Sequence, residues 1–189
     1  MTLRIFQPRK RFQFIMKLSG LLALLIPLTI ATPQAFADVS DSPTERALSL
    51  GAGTPHLSFP RSDWIIIREQ RREAGPAFYY MLGSEKADIF LSVYIERSKA
   101  CQNATDCLTE ALKNPAYKDA KDSKPVEAGN LKAIQFYLDQ PKGAQVRQVH
   151  ILAAGYVDGV WFDIHLSKTG MERPSAAPLV ELLSSFSVR

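Results

Sequence analysis

The chain has 189 residues, 23 Lys plus Arg against 19 Asp plus Glu, and a formal net charge of +4. That basicity is unevenly placed. The first 37 residues hold Arg4, Arg9, Lys10, Arg11 and Lys17 and no acid, which leaves 18 bases against 19 acids, a net of −1, for the rest. A near-neutral domain excludes a nucleic-acid or anionic-membrane surface as the basis of its work.

The basic start leads into residues 18–31, apolar apart from Ser19, Thr29 and Pro27, and then into Ala35-Phe36-Ala37. A basic segment, a short apolar run and an A-x-A site in that order form a secretory signal, here cut before Asp38. A spanning helix needs about 20 apolar residues, and this run has 14 with a proline inside. Met16 is an alternative start. Asp38, not Cys, follows the cut, so the mature chain is expected in the periplasm with no membrane anchor.

Residues 38–53 are polar, with Pro43 and two glycines, and read as a flexible N-terminal arm with at most a weak helical turn or two over 44–50. Residues 54–189 read as a single α+β domain. Short β-branched or alternating runs predict strands over 56–60, 64–68, 77–82 and 88–96. Between the second and third, Arg68, Arg71 and Arg72 interleave with Glu69 and Glu73 and read as a solvated tip.

Cys101 and Cys107 are the only cysteines. In an oxidising compartment an even pair is expected as a disulfide, and C-x5-C is neither a redox nor a zinc spacing. Residues 106–113 predict a short helix capped by Thr105 or Asp106 and ended by Pro115, and 116–130 a Lys-rich surface excursion. Residues 131–139 form a further strand, with Ile134, Phe136 and Leu138 on one face and Ala133, Gln135 and Tyr137 on the other. Residues 177–186 predict a closing helix. The sum is an α+β fold, an antiparallel sheet of about six strands with helices packed on it.

The strongest local signal is Asp158-Gly159 between two alternating runs, a two-residue type I′ hairpin. In that register Val157 faces Val160, Gly155 faces Phe162, Ala153 faces Ile164 and Ile151 faces Leu166, an apolar face. The other face pairs Tyr156 with Trp161, Ala154 with Asp163, Leu152 with His165 and His150 with Ser167. Adding the polar sides of neighbouring strands, Tyr94, Tyr137, Tyr156, Trp161 and His165 are the candidate ligand or partner face. A half-solvated sheet face is the plainer reading of the same pattern. His150, Asp163 and His165 are the candidate metal ligands, although no H-x-x-H or H-x-H spacing supports them.

No G-x-S-x-G, S-x-x-K, free cysteine, G-x-G-x-x-G or P-loop is present, so no cofactor is expected and the balance is against an enzyme. The entry His56-Leu57-Ser58-Phe59-Pro60 followed by Trp64, the Asp158-Gly159 hairpin and the exit Ser185-Phe186-Ser187-Val188 resemble the Mog1/PsbP-like fold, over residues 54–189. That group includes small exported bacterial proteins. The resemblance implies an α/β/α sandwich and a non-catalytic role in binding, assembly or envelope maintenance, and carries over no functional residue. The expectation is a periplasmic binding or accessory protein with a protein or small-ligand partner. The alternatives are a divalent-metal protein or hydrolase on His150, Asp163 and His165, and an envelope assembly or stress factor.

Overall fold

The computed structural model describes residues 38–61, 63–71 and 77–189. The signal expected over residues 1–37 lies outside them, as do Arg72 and Glu73. Among the described residues the chain runs β1 Asp38–Asp41, β2 Glu45–Ser49, β3 His56–Pro60, β4 Ile65–Arg71, β5 Ala77–Ser84, β6 Ile89–Arg97, α1 Ala104–Ala111, β7 Lys121–Ala128, β8 Leu131–Asp139, β9 Arg147–Val157, β10 Val160–Gly170, α2 Ala177–Ser184 and β11 Ser187–Val188. Short 3-10 turns at Pro115–Tyr117 and Pro141–Gly143 interrupt the loops.

These strands form two antiparallel sheets, not one sheet of six. Seven strands run in the order β4-β5-β6-β10-β9-β8-β7, and four in the order β1-β2-β3-β11. The expected arm over 38–53 is instead a hairpin: Asp38 to Asp41 pair with Ser49 to Arg46, and β2 pairs onward with β3. Ser42 anchors its turn by accepting from the Glu45 amide at 2.9 Å, the local side-chain bond that favours Ser in turns. The expected surface excursion contains β7, an edge strand on β8.

The β9–β10 hairpin has the expected register, Val157 opposite Val160 through Gly170 opposite Arg147. Asp158 and Gly159 take φ of 49° and 76°, the two positive values that a type I′ turn requires. Helix α1 starts two residues earlier than expected. Its cap is Asn103, whose Oδ1 accepts from the Asp106 amide at 3.0 Å.

One large core lies between the sheets. Leu48, Leu57 and Phe59 of the small sheet share it with Tyr80, Leu91, Ile95, Ile151, Phe162 and Ile164 of the large one, and Leu179 and Leu183 of α2 close it. The close approach of the C-terminal strand is permitted at Gly155, where a β-carbon would lie 2.7 Å from Val188 Cγ2 and 3.0 Å from Leu131 Cδ2. Helix α1 packs on the opposite face of the large sheet, against β8, β9 and β10. No helix among the described residues is long and apolar enough to cross a membrane.

Candidate functional site

The face under α1 divides into two small clusters. In the first, the Cys101–Cys107 disulfide, both cysteines buried, sits with Leu108 and Ala111 over Ala154, Tyr156 and Trp161. The disulfide is therefore a strut between the segment after β6 and α1, and it shares one apolar cluster with Ala154 and Trp161. In the second, Leu108, Leu112 and Tyr117 cover Phe136, Leu138 and Leu152.

Beside the second cluster three rings stack across neighbouring strands. Phe136 and His150 face each other at 5.1 Å between centroids and 14°, and His150 and His165 at 5.0 Å and 18°. The register explains the row: Phe136 is opposite His150 across β8 and β9, and His165 is one step diagonal on β10. Tyr117 closes the row from above, 5.2 Å from Phe136 and edge-on to His165 at 5.8 Å.

His150 Nδ1 and His165 Nε2 are 2.8 Å apart, a hydrogen bond that one ring donates and the other accepts. Burial drives both imidazoles toward the neutral form, His150 to about 3, helped by the neighbouring His165, and His165 to about 4. His150 is 5 % exposed, and its Nε2 is closed to solvent without a hydrogen-bond partner among the described residues. The two-ring relay can set that atom as donor or as acceptor, according to which ring holds the shared proton.

Two residues along β10, Asp163 is half-buried as a residue, yet its Oδ1 is closed off and unpartnered. Burial, with Glu96 nearby, pushes its carboxyl up to about 7. Burial also pushes the Tyr117 phenol up to about 12, with Asp163 adding to the effect.

His150 and His165 line the floor of a cleft of about 550 Å³. One wall is Pro115 to Asp119 and the other Leu138 to Pro141, with Gln148 on the floor, its amide donating to Thr169 Oγ1 at 3.1 Å. At the rim Asp139 is held well below the usual carboxylate range by Lys121, whose ammonium lies 3.1 Å away, and by Arg173. The cleft is thus mainly apolar in surface, with neutral imidazoles in its floor and with Asp139 at its edge compensated by Lys121 and Arg173.

The five residues expected on one face do not gather in one place. His165 is in the cleft floor. Trp161 and Tyr156 are packed against the disulfide and α1. Tyr94 pairs with Asp163 across β6 and β10, and its hydroxyl donates to Glu96 Oε2 at 2.9 Å. Tyr137 is on the other side of the sheet, opposite Val149, with the Arg173 guanidinium 4.2 Å above its ring. Its strand presents Phe136, not Tyr137, to the site.

The three candidate metal ligands do not converge on one point either. His150 and His165 point nitrogens at each other instead of at a common point, and among the described residues no three His, Cys, Asp or Glu converge on a metal position. Tyr117 and Phe136 are the site residues that sequence reasoning passed over. Pro115 just before the Lys-rich stretch and Tyr117 within it are the available signal.

A scan against protein-family models gives no match, and a search of curated proteins gives none. Among solved structures, a crystal structure from Bacteroides thetaiotaomicron VPI-5482 is similar at 16% identity with a TM-score of 0.44, over 71% of this chain and 45% of that one. The chain spans less than half the length of that neighbour, and a likeness of this degree carries no argument about fold or function.

Proposed function

We propose that the chain is an exported, periplasmic, non-enzymatic binding protein that takes a small, mainly apolar ligand into the cleft over His150 and His165. The observation that carries this reading is a cleft of about 550 Å³, mainly apolar in surface, whose floor holds the neutral, hydrogen-bonded His150–His165 pair. Apolar walls with few polar anchors are the usual make-up of a small-molecule site. The disulfide fits an oxidising compartment, and the signal-like N-terminus fits export. The likeness to Mog1/PsbP-like exported proteins, with a helix on each face of the large sheet, belongs to the same proposal.

A proton-transfer enzyme is the rival, because all three of His150, Asp163 and His165 are displaced from their ordinary values. It fits less well. A general base is most effective near the working pH, and imidazoles pushed down to about 3 and 4 are weak bases at neutrality. Asp163 has the suitable value but does not line the cleft.

Native mass spectrometry of the chain purified from envelope extract tests the binding reading. A bound small molecule that is lost in Ala116→Trp, an exposed wall position, is the expected result. An unliganded chain whose His150 ring signals do not move with any of a panel of phenols, indoles and short-chain alcohols would overturn it.

A further inference from the structure

Among the described residues, four that are not glycine take positive φ: Asp88 at 53°, Asp122 at 53°, Gln140 at 52° and Asp158 at 49°. Aspartate tolerates this left-handed region, because its short side chain bonds to nearby backbone. Glutamine has no such advantage. The conformation of Gln140 is set by its main chain, whose N–H donates to the Val146 carbonyl at 2.9 Å and whose carbonyl accepts from the Gly143 amide at 3.0 Å. These two bonds shape the connection between β8 and β9, and glycine, asparagine or aspartate would make them with less strain. The Gln140 side chain adds nothing to the turn, since its carboxamide makes no hydrogen bond with a described residue. It is exposed, and it lies on the wall of the cleft over His150 and His165. Backbone strain at a residue that borders a site, with no local bond to offset it, is a mark of function.

We propose that Gln140 sets the specificity of this cleft, and that the ligand is an uncharged amide, lactam or urea on an apolar body, whose N–H and C=O pair with the Gln140 carboxamide. The inference rests on the binding reading above. A carboxamide holds a donor and an acceptor side by side, and a second amide group is the neutral complement of both. A ketone or ether answers the donor alone, and a single hydroxyl cannot meet the two in parallel. Charge argues against the ionic alternatives. A carboxylate ligand would meet Asp139, the next residue back in the chain, and an amine would find Asp139 already engaged by Lys121 and Arg173. A second carboxamide lines the same cleft. Gln148 donates its N–H to Thr169 Oγ1 at 3.1 Å, which leaves its carbonyl oxygen as the acceptor for a further ligand N–H.

Three probes of one shape test this: phenylacetamide, benzyl methyl ketone and phenylacetate, titrated into the chain and followed by the amide and ring signals of Gln148 and His150. Phenylacetamide should bind at least about tenfold more tightly than the ketone or the acid, the effect of about one net hydrogen bond or more. Gln140→Met, of similar length and without the carboxamide, should erase that preference and leave the melting temperature unchanged. Gln140→Gly should erase it too, with a melting temperature unchanged or higher. Equal binding of amide and ketone by the parent, a preference that survives Gln140→Met, or a melting temperature lowered by several degrees in Gln140→Gly would overturn the proposal. Phenols or indoles that bind where phenylacetamide does not would sink the amide specificity and leave the binding reading standing, whereas no binding by any of these compounds would sink both.

Discussion

His150 Nδ1 and His165 Nε2 share one hydrogen bond at 2.8 Å between two stacked, neutral rings, so acid attacks the fold at this pair. Both imidazoles have folded values pushed down, to about 3 and about 4, from an ordinary 6.5. Between those limits the unfolded chain binds more protons. The stability held by the neutral pair is therefore complete above pH 6.5 and is lost as the pH falls toward 4. Each ring adds at most about 1.4 kcal/mol per pH unit. Urea unfolding from pH 4 to 8 should show this acid limb, and His165→Phe should flatten it. An equally steep limb in that variant would place its origin elsewhere.

Asp163 has the opposite sign. Its folded value is raised to about 7 from 3.8, so the folded chain holds the extra proton between them and stability falls as the pH rises through that window. Asp163→Asn removes this loss. The variant should match the parent near pH 4 and exceed it in unfolding free energy at pH 8, with the gain levelling above pH 7. A constant difference across pH would mean that Asp163 does not titrate in this window.

The hairpin was readable because Asp158-Gly159 leaves one register, and every pairing down to Arg147 with Gly170 follows from it. That register also put His150 and His165 on one face. Strand β8 turns its Ile134, Phe136 and Leu138 face to α1, the reverse of the expected placement, for a physical reason. Alternation says which residues share a face, not which side of the sheet that face takes. Both sides of β8 are covered, Ile134, Phe136 and Leu138 by the α1 cluster and Ala133 and Tyr137 by the main core. An apolar set alone therefore points nowhere. Strands β1 and β7 are edge strands, kept polar, with Asp, Lys and Pro in place of β-branched runs, and β2, although paired on both sides, reads Glu-Arg-Ala-Leu-Ser with no β-branched residue. The wall made by Tyr117 depends on a 3-10 turn whose cap, Asn114 accepting from the Ala116 amide at 3.0 Å, is a local feature without periodicity.

The disulfide should matter through Trp161 as well as through chain entropy. Closing a loop of about seven residues constrains the unfolded chain by roughly 2.4 kcal/mol. Cys101→Ser with Cys107→Ser should cost at least about that much, since it also sets two hydroxyls in the apolar cluster over Ala154 and Trp161. Trp161 is 8% exposed, and Trp64, at 6%, is packed in the other core, so a red shift of tryptophan emission in the reduced chain reports α1 lifting from the sheet. Reduction that leaves both the emission and the unfolding midpoint unchanged would show that the strut is idle.

Gly155 is where the C-terminus is held. Arg189 and His56 exchange backbone hydrogen bonds at 2.9 and 3.1 Å, and Val188 pairs with Leu57, which presses Val188 onto the large sheet over residue 155. A methyl there meets Val188 Cγ2 at 2.7 Å and Leu131 Cδ2 at 3.0 Å, and neither neighbour has free space, because both are buried. Gly155→Ala should therefore destabilise the fold by about 1–3 kcal/mol, the range for overpacking a filled core. The damage should be local. Hydrogen exchange at Arg189, whose amide donates to His56, should speed up by more than it does at Ile151 or Ile164, because β11 can detach while the β9–β10 hairpin stays paired. Because the cleft is on the opposite face, ligand-induced shifts at His150 should survive in this variant, which separates loss of the C-terminal strand from loss of the site.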